Sequence, residues 1–425
     1  MNIPDSSLPR VVIVGSGFAG LNLAKKLDKT KQQVVLIDKN NYHAFQPLLY
    51  QVATAGLEPD SIAHAIRTLF KNEKNFHFRI ANVSHIDVEH KEIDSNIGSL
   101  QYDRLIIATG SNTNFYDNQE IERNAMSMKS IPEALDLRSV ILQNLEAALL
   151  TQDLAERKRL MNFVIVGGGP TGVELAGALA ELKNHILPND YPDLDIRRMN
   201  VHLVQSGDHL LPGFSEKASK AATDYLRKMD VDLWLNTRVL NYDGKHVDTN
   251  NKDFDATTLI WAAGVKGEVI SGLPEASIER SRYLVNEFNE IINVKDIFAI
   301  GDVACMKTEE NPQGHPMVAQ PAIQQGKNLA RNLNNLVSGK PMKPFKYHDK
   351  GSMATIGRNK AVADIGNIKL TGWFAWIIWM FVHLVSLVGF RNKMIALANW
   401  VIQYFQYNKS VRLIIRPYYR DEREH

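Results

Sequence analysis

The sequence predicts an α/β protein built from two strand–turn–helix units of the same design, the second inserted in the first, with a helical C-terminal region. Three observations predict it. Two glycine-rich turns lie about 150 residues apart, each directly after four apolar residues. Each unit later closes on an apolar run ending in small residues, Ala108-Thr109-Gly110 in one and Ala262-Ala263-Gly264 in the other. A further apolar run, Ile297 to Ile300, ends on Gly301-Asp302 after the second unit, which returns the chain to the first sheet.

The first turn is Val11-Val12-Ile13-Val14-Gly15-Ser16-Gly17-Phe18-Ala19-Gly20, followed by a helix over 18–28 and a strand Val34-Val35-Leu36-Ile37 ending on Asp38. The three glycines make a tight turn, admit a pyrophosphate against the backbone, and let helix and strand pack closely. The phosphates rest on the N–H groups of the helix N-terminus. This is the Rossmann-like dinucleotide signature. A loop from Asn40 to Gln51 and a helix near 59–71 follow, then short alternating segments to the buried strand at 105–107. Pro132 opens a helix over 132–151. The second turn is Phe163-Val164-Ile165-Val166-Gly167-Gly168-Gly169-Pro170-Thr171-Gly172, with a helix over 171–184 and a strand over 201–205 that ends on Gln205. A helix from about 215 to 229 precedes the second small-residue run. Two such turns imply two dinucleotides held face to face. The expected domains are 1–115 with 290–345 for the first nucleotide, 116–289 for the second, and 346–425 as a C-terminal region.

Composition narrows the classes. Among 425 residues, 44% hydrophobic and 23% charged content describes an ordinary globular chain, and a net charge of +2 gives no reason to expect nucleic acid. Residues 391–425 carry seven Lys/Arg against three Asp/Glu, so basic charge gathers at the C-terminal end. Cys305 is the single cysteine, which excludes an internal disulfide or a redox-active pair and reads as a small buried apolar residue. No metal site is expected. Met1 to Arg10 is short and polar and carries no export signal.

Across nearly its whole length the chain resembles the type II NADH:quinone oxidoreductases, single-subunit flavoproteins with two dinucleotide-binding domains. The resemblance rests on the first turn with Asp38, Ala108-Thr109-Gly110 and Gly301-Asp302. It rests more specifically on Phe45-Gln46-Pro47-Leu48-Leu49-Tyr50-Gln51-Val52-Ala53, on Ala319-Gln320-Pro321-Ala322-Ile323-Gln324-Gln325-Gly326, and on the aromatic C-terminal segment. It implies FAD in the first unit, held by Gly15, Gly17, Phe18, Ala19, Gly20, Asp38, Lys39, Ala108, Thr109, Gly110 and Asp302. Asp38 would take the adenosine ribose hydroxyls, and Asp302 the ribityl or pyrophosphate part. NADH would sit on Gly167, Gly169, Pro170, Thr171, Gly172, Gln205, Ala263 and Gly264, with Glu174 beside the nicotinamide. Without the resemblance, Glu174 is a first-turn acid that complements the helix dipole. NADH users of the family usually carry an acid where this chain has Gln205, so NADPH is less excluded here.

For the acceptor, Pro321 fits the first position of a helix running to about Val337, which places Gln320 and Gln324 on one face near its positive end. The resemblance implies that Gln320, Gln324 and Gln325 form the quinone site, with the glutamine amides free for the quinone carbonyls. The catalytic residues are then Glu174, Gln320 and Gln324.

Gly372 to Phe390 is a nineteen-residue apolar run whose clearly polar members are His383 and Ser386. Its length admits a spanning helix, a buried core or a dimer interface. Three features favour lying on a membrane surface: Trp373, Trp376 and Trp379 fill its first half, His383 falls near its middle, and 394–407 forms an amphipathic partner. In that partner Asn399, Gln403 and Gln406 oppose Leu397, Val401 and Phe405. Lys409, Arg412, Arg416 and Arg420 then suit anionic lipid. The expectation is a peripheral enzyme on the cytoplasmic face of the cell membrane that oxidises NADH, reduces a membrane quinone and pumps no protons. A homodimer is usual for the family. The competing readings are a ferredoxin-type or sulfide:quinone-type reductase and a non-enzymatic, membrane-bound nucleotide sensor.

Overall fold

The computed structural model describes residues 1–406 and 412–419, with the side chain of Gln406 left aside; Lys409 and Arg420 lie outside the described residues. The chain forms two compact units. One comprises Met1–His43, His64–Asn112 and Val265–Asp349; the other comprises Ala44–Ala63, Thr113–Gly264 and Lys350–His425.

The first unit is built on a parallel five-stranded sheet in the order Ile297–Ala299, Arg104–Ile107, Arg10–Val14, Gln33–Asp38, Phe76–Ile80. Its central strands Arg10–Val14, Gln33–Asp38 and Arg104–Ile107 carry buried apolar residues on both faces because both are covered there, whereas the edge strand Phe76–Ile80 is partly exposed. Val12, Val35, Leu105 and Tyr283 are among the fully buried side chains of one core. Helix Phe18–Lys26 packs on helix Ala319–Leu336, where a Cβ on Gly326 would collide with the Ala19 carbonyl oxygen. That late helix joins the returning strand Ile297–Ala299 in the first unit, as the apolar run after the second turn implies.

The second unit holds a parallel four-stranded sheet in the order Val231–Trp234, Asn200–Val204, Asn162–Val166, Thr258–Trp261. Helix Pro170–His185 crosses it and meets the antiparallel sheet Ser352–Gly357, Lys360–Ile365, Ile368–Thr371. Their contact is close enough that a Cβ on Gly177 would collide with the Ile356 carbonyl oxygen.

Several boundaries differ from the sequence expectation. Residues 265–289 belong to the first unit because Tyr283 is buried in its core and its hydroxyl exchanges hydrogen bonds with the Ile270 backbone, 2.7 and 2.8 Å. Residues 350–425 form no separate domain; the Gly177 contact ties their first hairpin into the second unit. The expected helix over 59–71 is broken into helix Pro59–Ile62, strand Ala63–Ala65 and helix Ile66–Leu69. Its backbone is spent elsewhere: the Ile62 carbonyl accepts from Phe45 N, the Ala63 carbonyl from Asn392 Nδ2, and Ile66 N donates to Asn41. Helix Ala319–Leu336 starts earlier than expected, so Pro321 is its third residue and not its first.

The apolar run from Gly372 is likewise interrupted. Helix Trp373–Ser386 has 14 residues, about 21 Å at 1.5 Å per residue, short of the ~30 Å hydrocarbon core. Leu387 is extended, Gly389 has φ +88°, and helix Phe390–Gln406 follows. Among the described residues, no helix is long and apolar enough to cross a membrane. The two helices turn their apolar sides outward: Phe374, Phe381, Val401, Ile402 and Phe405 are exposed, while Trp379, Ala396 and Trp400 are buried. Arg412 and Arg416, expected to suit anionic lipid, each carry a carboxylate partner, and the Arg416 side chain stays 76% exposed. They form ion pairs with Asp190 at 2.5 Å and Asp136 at 2.8 Å, because 412–419 runs along helix Ile131–Leu150 and is held there by two hydrogen bonds between Gln143 and the Tyr418 backbone.

Candidate active site

The first turn is held open by hydrogen bonds around it. Gly15 has φ +106°, a conformation that favours glycine, and its N–H donates to the Ile37 carbonyl at 2.8 Å. Asp38, last residue of its strand, accepts from Ser16 N at 2.6 Å, Ser16 Oγ at 2.7 Å and Asn40 N at 2.7 Å. His43 closes the other side: its Nδ1 donates to the Ser16 carbonyl at 2.9 Å and its ring meets Phe18 edge-on at 5.3 Å. Burial lowers its pKa to about 4, so the ring is neutral near pH 7. A Cβ on Gly17 or Gly110 would touch nothing within 4 Å. The backbone at Gly17, where the helix begins, is therefore uncrowded, and no acid in the first turn opposes an anion there.

The expected neighbours take their places in the same unit. Thr109 Oγ1 donates to the Glu268 carbonyl at 2.6 Å, and the Glu268 carboxylate lies 3.5 Å from Lys39 Nζ. Ser111 Oγ donates to Asp302 at 2.6 Å. Ser16 lies inside the first glycine turn but at a position that any residue can fill, and His43, Ser111 and Glu268 belong to no spacing motif, so none of the four stands out in the sequence.

The glutamines differ from expectation. Gln325 is buried, and its Oε1 accepts from Gly301 N at 2.7 Å. Gln324 is tied to the His348 backbone in both directions, at 2.9 and 3.0 Å. Neither amide is left free, because the chain after the helix returns close enough to claim one and the Gly301 turn claims the other. Gln320 is half-buried on the same helix.

The second turn repeats the first. Gly167 has φ +112°, its N–H donates to the Val204 carbonyl at 2.8 Å, and Gly168 N donates to Gln205 Oε1 at 2.8 Å. Gln205 thus does for Gly168 what Asp38 does for Ser16. Gly169 faces open space, with Pro170 and Thr171 exposed beside it and Gly172 packed on Gly167. Near Ala263 and Gly264 stands Tyr116, whose hydroxyl donates to the Ala263 carbonyl at 2.9 Å; no motif marks it.

Glu174 is the fifth residue of helix Pro170–His185 and is not free at its first turn. It lines a cavity of about 110 Å³ within the second unit, with Tyr50, Glu181, Thr355, Trp379 and Trp400 among its walls. None of the three glutamines lines it. Burial raises the Glu174 pKa to about 8, against the pull of the Thr355 N–H, at 3.3 Å from Oε1, and of the nearby Trp379 indole. The carboxyl is therefore mostly protonated at pH 7. His383 stacks on Trp379 at 4.1 Å and donates from Nδ1 to the Trp379 carbonyl at 2.8 Å, and burial lowers its pKa to about 4. A neutral ring bonded within its own helix carries no charge penalty at this position.

Comparison with known proteins gives the site a family. A family model described as pyridine nucleotide-disulphide oxidoreductase matches residues 9–326, and one described as the NDH2 C-terminal domain matches residues 349–406. The type II NADH:quinone oxidoreductase NdhA of Mycobacterium tuberculosis is 37% identical over 414 residues, covering 93% of this chain and 87% of the relative. The chain belongs to the type II NADH:quinone oxidoreductases. A second member from the same organism, Ndh, is 35% identical over 415 residues, 93% of this chain and 88% of its own. Among solved structures, NDH2 of Plasmodium falciparum in complex with NADH matches with a TM-score of 0.89 over 96% of this chain and all of that one, at 22% identity. The sulfide:quinone oxidoreductase of Aquifex aeolicus shares the fold more distantly, with a TM-score of 0.71 at 18% identity, covering 93% of this chain and 95% of that one. With Cys305 alone, a type II enzyme of this sequence has no cysteine pair for the disulphide chemistry in the broader family's description.

Proposed function

We propose that this type II NADH:quinone oxidoreductase uses FAD in its first unit to oxidise NADH bound at its second turn, reduces a quinone drawn from lipid, and pumps no protons. When bound, the flavin would accept hydride from the nicotinamide and hand two electrons on. The chain's own part is placement and proton supply. Asp38, Asp302 and the Gly15–Gly20 turn would hold the dinucleotide, a fit supported by the open space before Gly17 and Gly110. Gly167, Gly169, Gly172 and Gln205 would hold NADH. Glu174, largely protonated at neutral pH, has a proton to give when a quinone takes up two electrons, and it lines an aromatic-walled cavity. Gln320 remains a candidate for contact with the quinone, whereas Gln324 and Gln325 would shape its surroundings through the backbone.

The observation that carries the quinone reading is the outward-facing aromatic ridge on the two C-terminal helices. A reductase serving a soluble protein acceptor has no use for Phe374, Phe381 and Phe405 in water, whereas a lipid surface would cover them. The same ridge favours peripheral attachment; the cytoplasmic face and a homodimer are proposed from family resemblance.

Absorbance of the purified protein tests the reading. Flavin bands should bleach with NADH and return on addition of a short-chain quinone. A preparation that folds but holds no flavin, or holds one that NADH leaves oxidised, would overturn it.

A further inference from the structure

Glu174, Ala178 and Glu181 follow one another at spacings of four and three, so they share one face of helix Pro170–His185, and all three line the same cavity. The two carboxyl-bearing positions are separated by about 10.5 Å along the helix axis, seven residues at 1.5 Å. Glu174 is buried and Glu181 is half-exposed. The cavity of about 110 Å³ has room for roughly three or four waters at ~30 Å³ each. With hydrogen-bond steps of about 2.8 Å, such a file is as long as the axial separation of the two positions.

A fixed hydroxyl stands in the same cavity. Tyr50 is buried, and its oxygen accepts from Gln51 Nε2 at 2.8 Å. The Gln51 amide cannot turn over, because its Oε1 is held by the Trp400 indole N–H at 2.8 Å. The phenol's own proton therefore points away from that amide. Burial raises the Tyr50 pKa, and the charges of Glu174 and then Glu181 raise it further, so both carboxyls act on this one hydroxyl. Glu181 is anchored by the Arg358 backbone N–H at 2.5 Å from Oε1, and the Arg358 guanidinium lies over the Tyr404 ring at 4.2 Å. Arg358 and Tyr404 also line the cavity. Among the other ionisable groups on and around the helix, Lys183 pairs with Asp230, Asp190 with Arg412, Asp364 with Ser215, and the His383 ring bonds the Trp379 carbonyl.

We infer that Glu181 reloads Glu174 with protons from solvent, through cavity water and the Tyr50 hydroxyl. The inference rests on the proposed quinone reduction for the use to which the Glu174 proton is put. Once Glu174 has given up its proton it is a carboxylate. A solvent proton then binds the Glu181 carboxylate, each intervening water or hydroxyl accepts one proton and releases another, and the last is delivered to Glu174. Glu181 returns to its starting state and no electron moves. Glu181 is thus a relay residue that acts through Glu174.

The test uses the holoenzyme. Glu181→Gln keeps the size of the side chain and an oxygen to accept the Arg358 N–H. The protonated carboxyl of Glu174 is read by its infrared carbonyl band, assigned by its loss in Glu174→Gln, and its exchange is followed after transfer to D2O. Exchange should slow by about tenfold or more in Glu181→Gln, a conservative bound for losing a positioned proton carrier. Tyr50→Phe should slow it as well, and Glu181→Asp should restore much of the rate. With a short-chain quinone, Glu181→Gln should also steepen the fall of quinol formation with rising pH and enlarge the solvent isotope effect. Exchange in Glu181→Gln as fast as in the unaltered protein would overturn the relay. If the enzyme proved unable to reduce a quinone, the exchange measurement would still decide whether Glu181 feeds Glu174.

Discussion

Replacing Glu174 by glutamine should alter how stability depends on pH. In the fold the carboxyl titrates at about 8, against 4.5 for the ordinary side chain. A carboxyl whose pKa is raised by folding keeps its full contribution below the unfolded value and loses it as pH rises to the folded one. At about 1.4 kcal/mol for each pH unit, the protein should lose on the order of 2 kcal/mol by pH 6 and 5 kcal/mol above pH 8 through this group. Glu174→Gln removes the titration while keeping an oxygen for the Thr355 N–H. The assay is denaturant unfolding of both flavin-loaded proteins, from pH 4 to 9. The variant should gain on the unaltered protein steadily across that range and level off above pH 8. Profiles that run parallel from pH 4 to 9 would refute the argument, because the carboxyl would then be titrating as it does in water.

Other expectations follow from close contacts. Gly177→Ala places a methyl group against the Ile356 carbonyl oxygen, a backbone atom that cannot step aside; it should cost about 3 kcal/mol or more, read as a lowered unfolding midpoint. Gln325→Ala removes the acceptor of Gly301 N and should cost about 1–3 kcal/mol, with faster loss of flavin on dilution as the check. Gln205→Glu keeps the bond to Gly168 and adds a charge facing any 2′-phosphate; at about 1 kcal/mol for charges near 4 Å in water, the NADPH rate should fall about fivefold relative to NADH. Joint replacement of Phe374, Phe381 and Phe405, exposed by 65 to 77%, with serine should weaken binding to lipid vesicles by about a thousandfold or more, at ~1.5 kcal/mol or above for each ring, and sedimentation with vesicles measures it.

The parts of this protein that could be read in its sequence are those where local sterics decide. Gly15 and Gly167 sit at positive φ, where other residues are strained, so their turns announce themselves. The apolar strands that lead into these turns need no context, because at Val11–Val14 and Phe163–Val166 every side chain is buried. What could not be read depends on chain returning from far away. Nothing near residues 59–71 reveals that Phe45 and Asn392 will claim backbone carbonyls there. Gln324 and Gln325 look free on a helical wheel until His348 and Gly301 are seen beside them. Arg412 and Arg416 form a basic cluster in sequence, yet Asp190 and Asp136 meet them in the fold. In Glu174 the residue type was legible and the environment was not; its burial depends on Tyr50, Thr355 and Trp379, drawn from three distant stretches.

The final long helix reverses the usual arrangement, since Gln403 bonds inward to the Gly56 carbonyl while Val401, Ile402 and Phe405 face out. A screen for better-behaved protein would favour hydrophilic replacements at these outer positions, because in plain buffer they are adhesive. Each gain in solubility so obtained would strand the catalyst away from the phase in which its electron acceptor dissolves, so yield and usefulness would pull this helix in opposite directions.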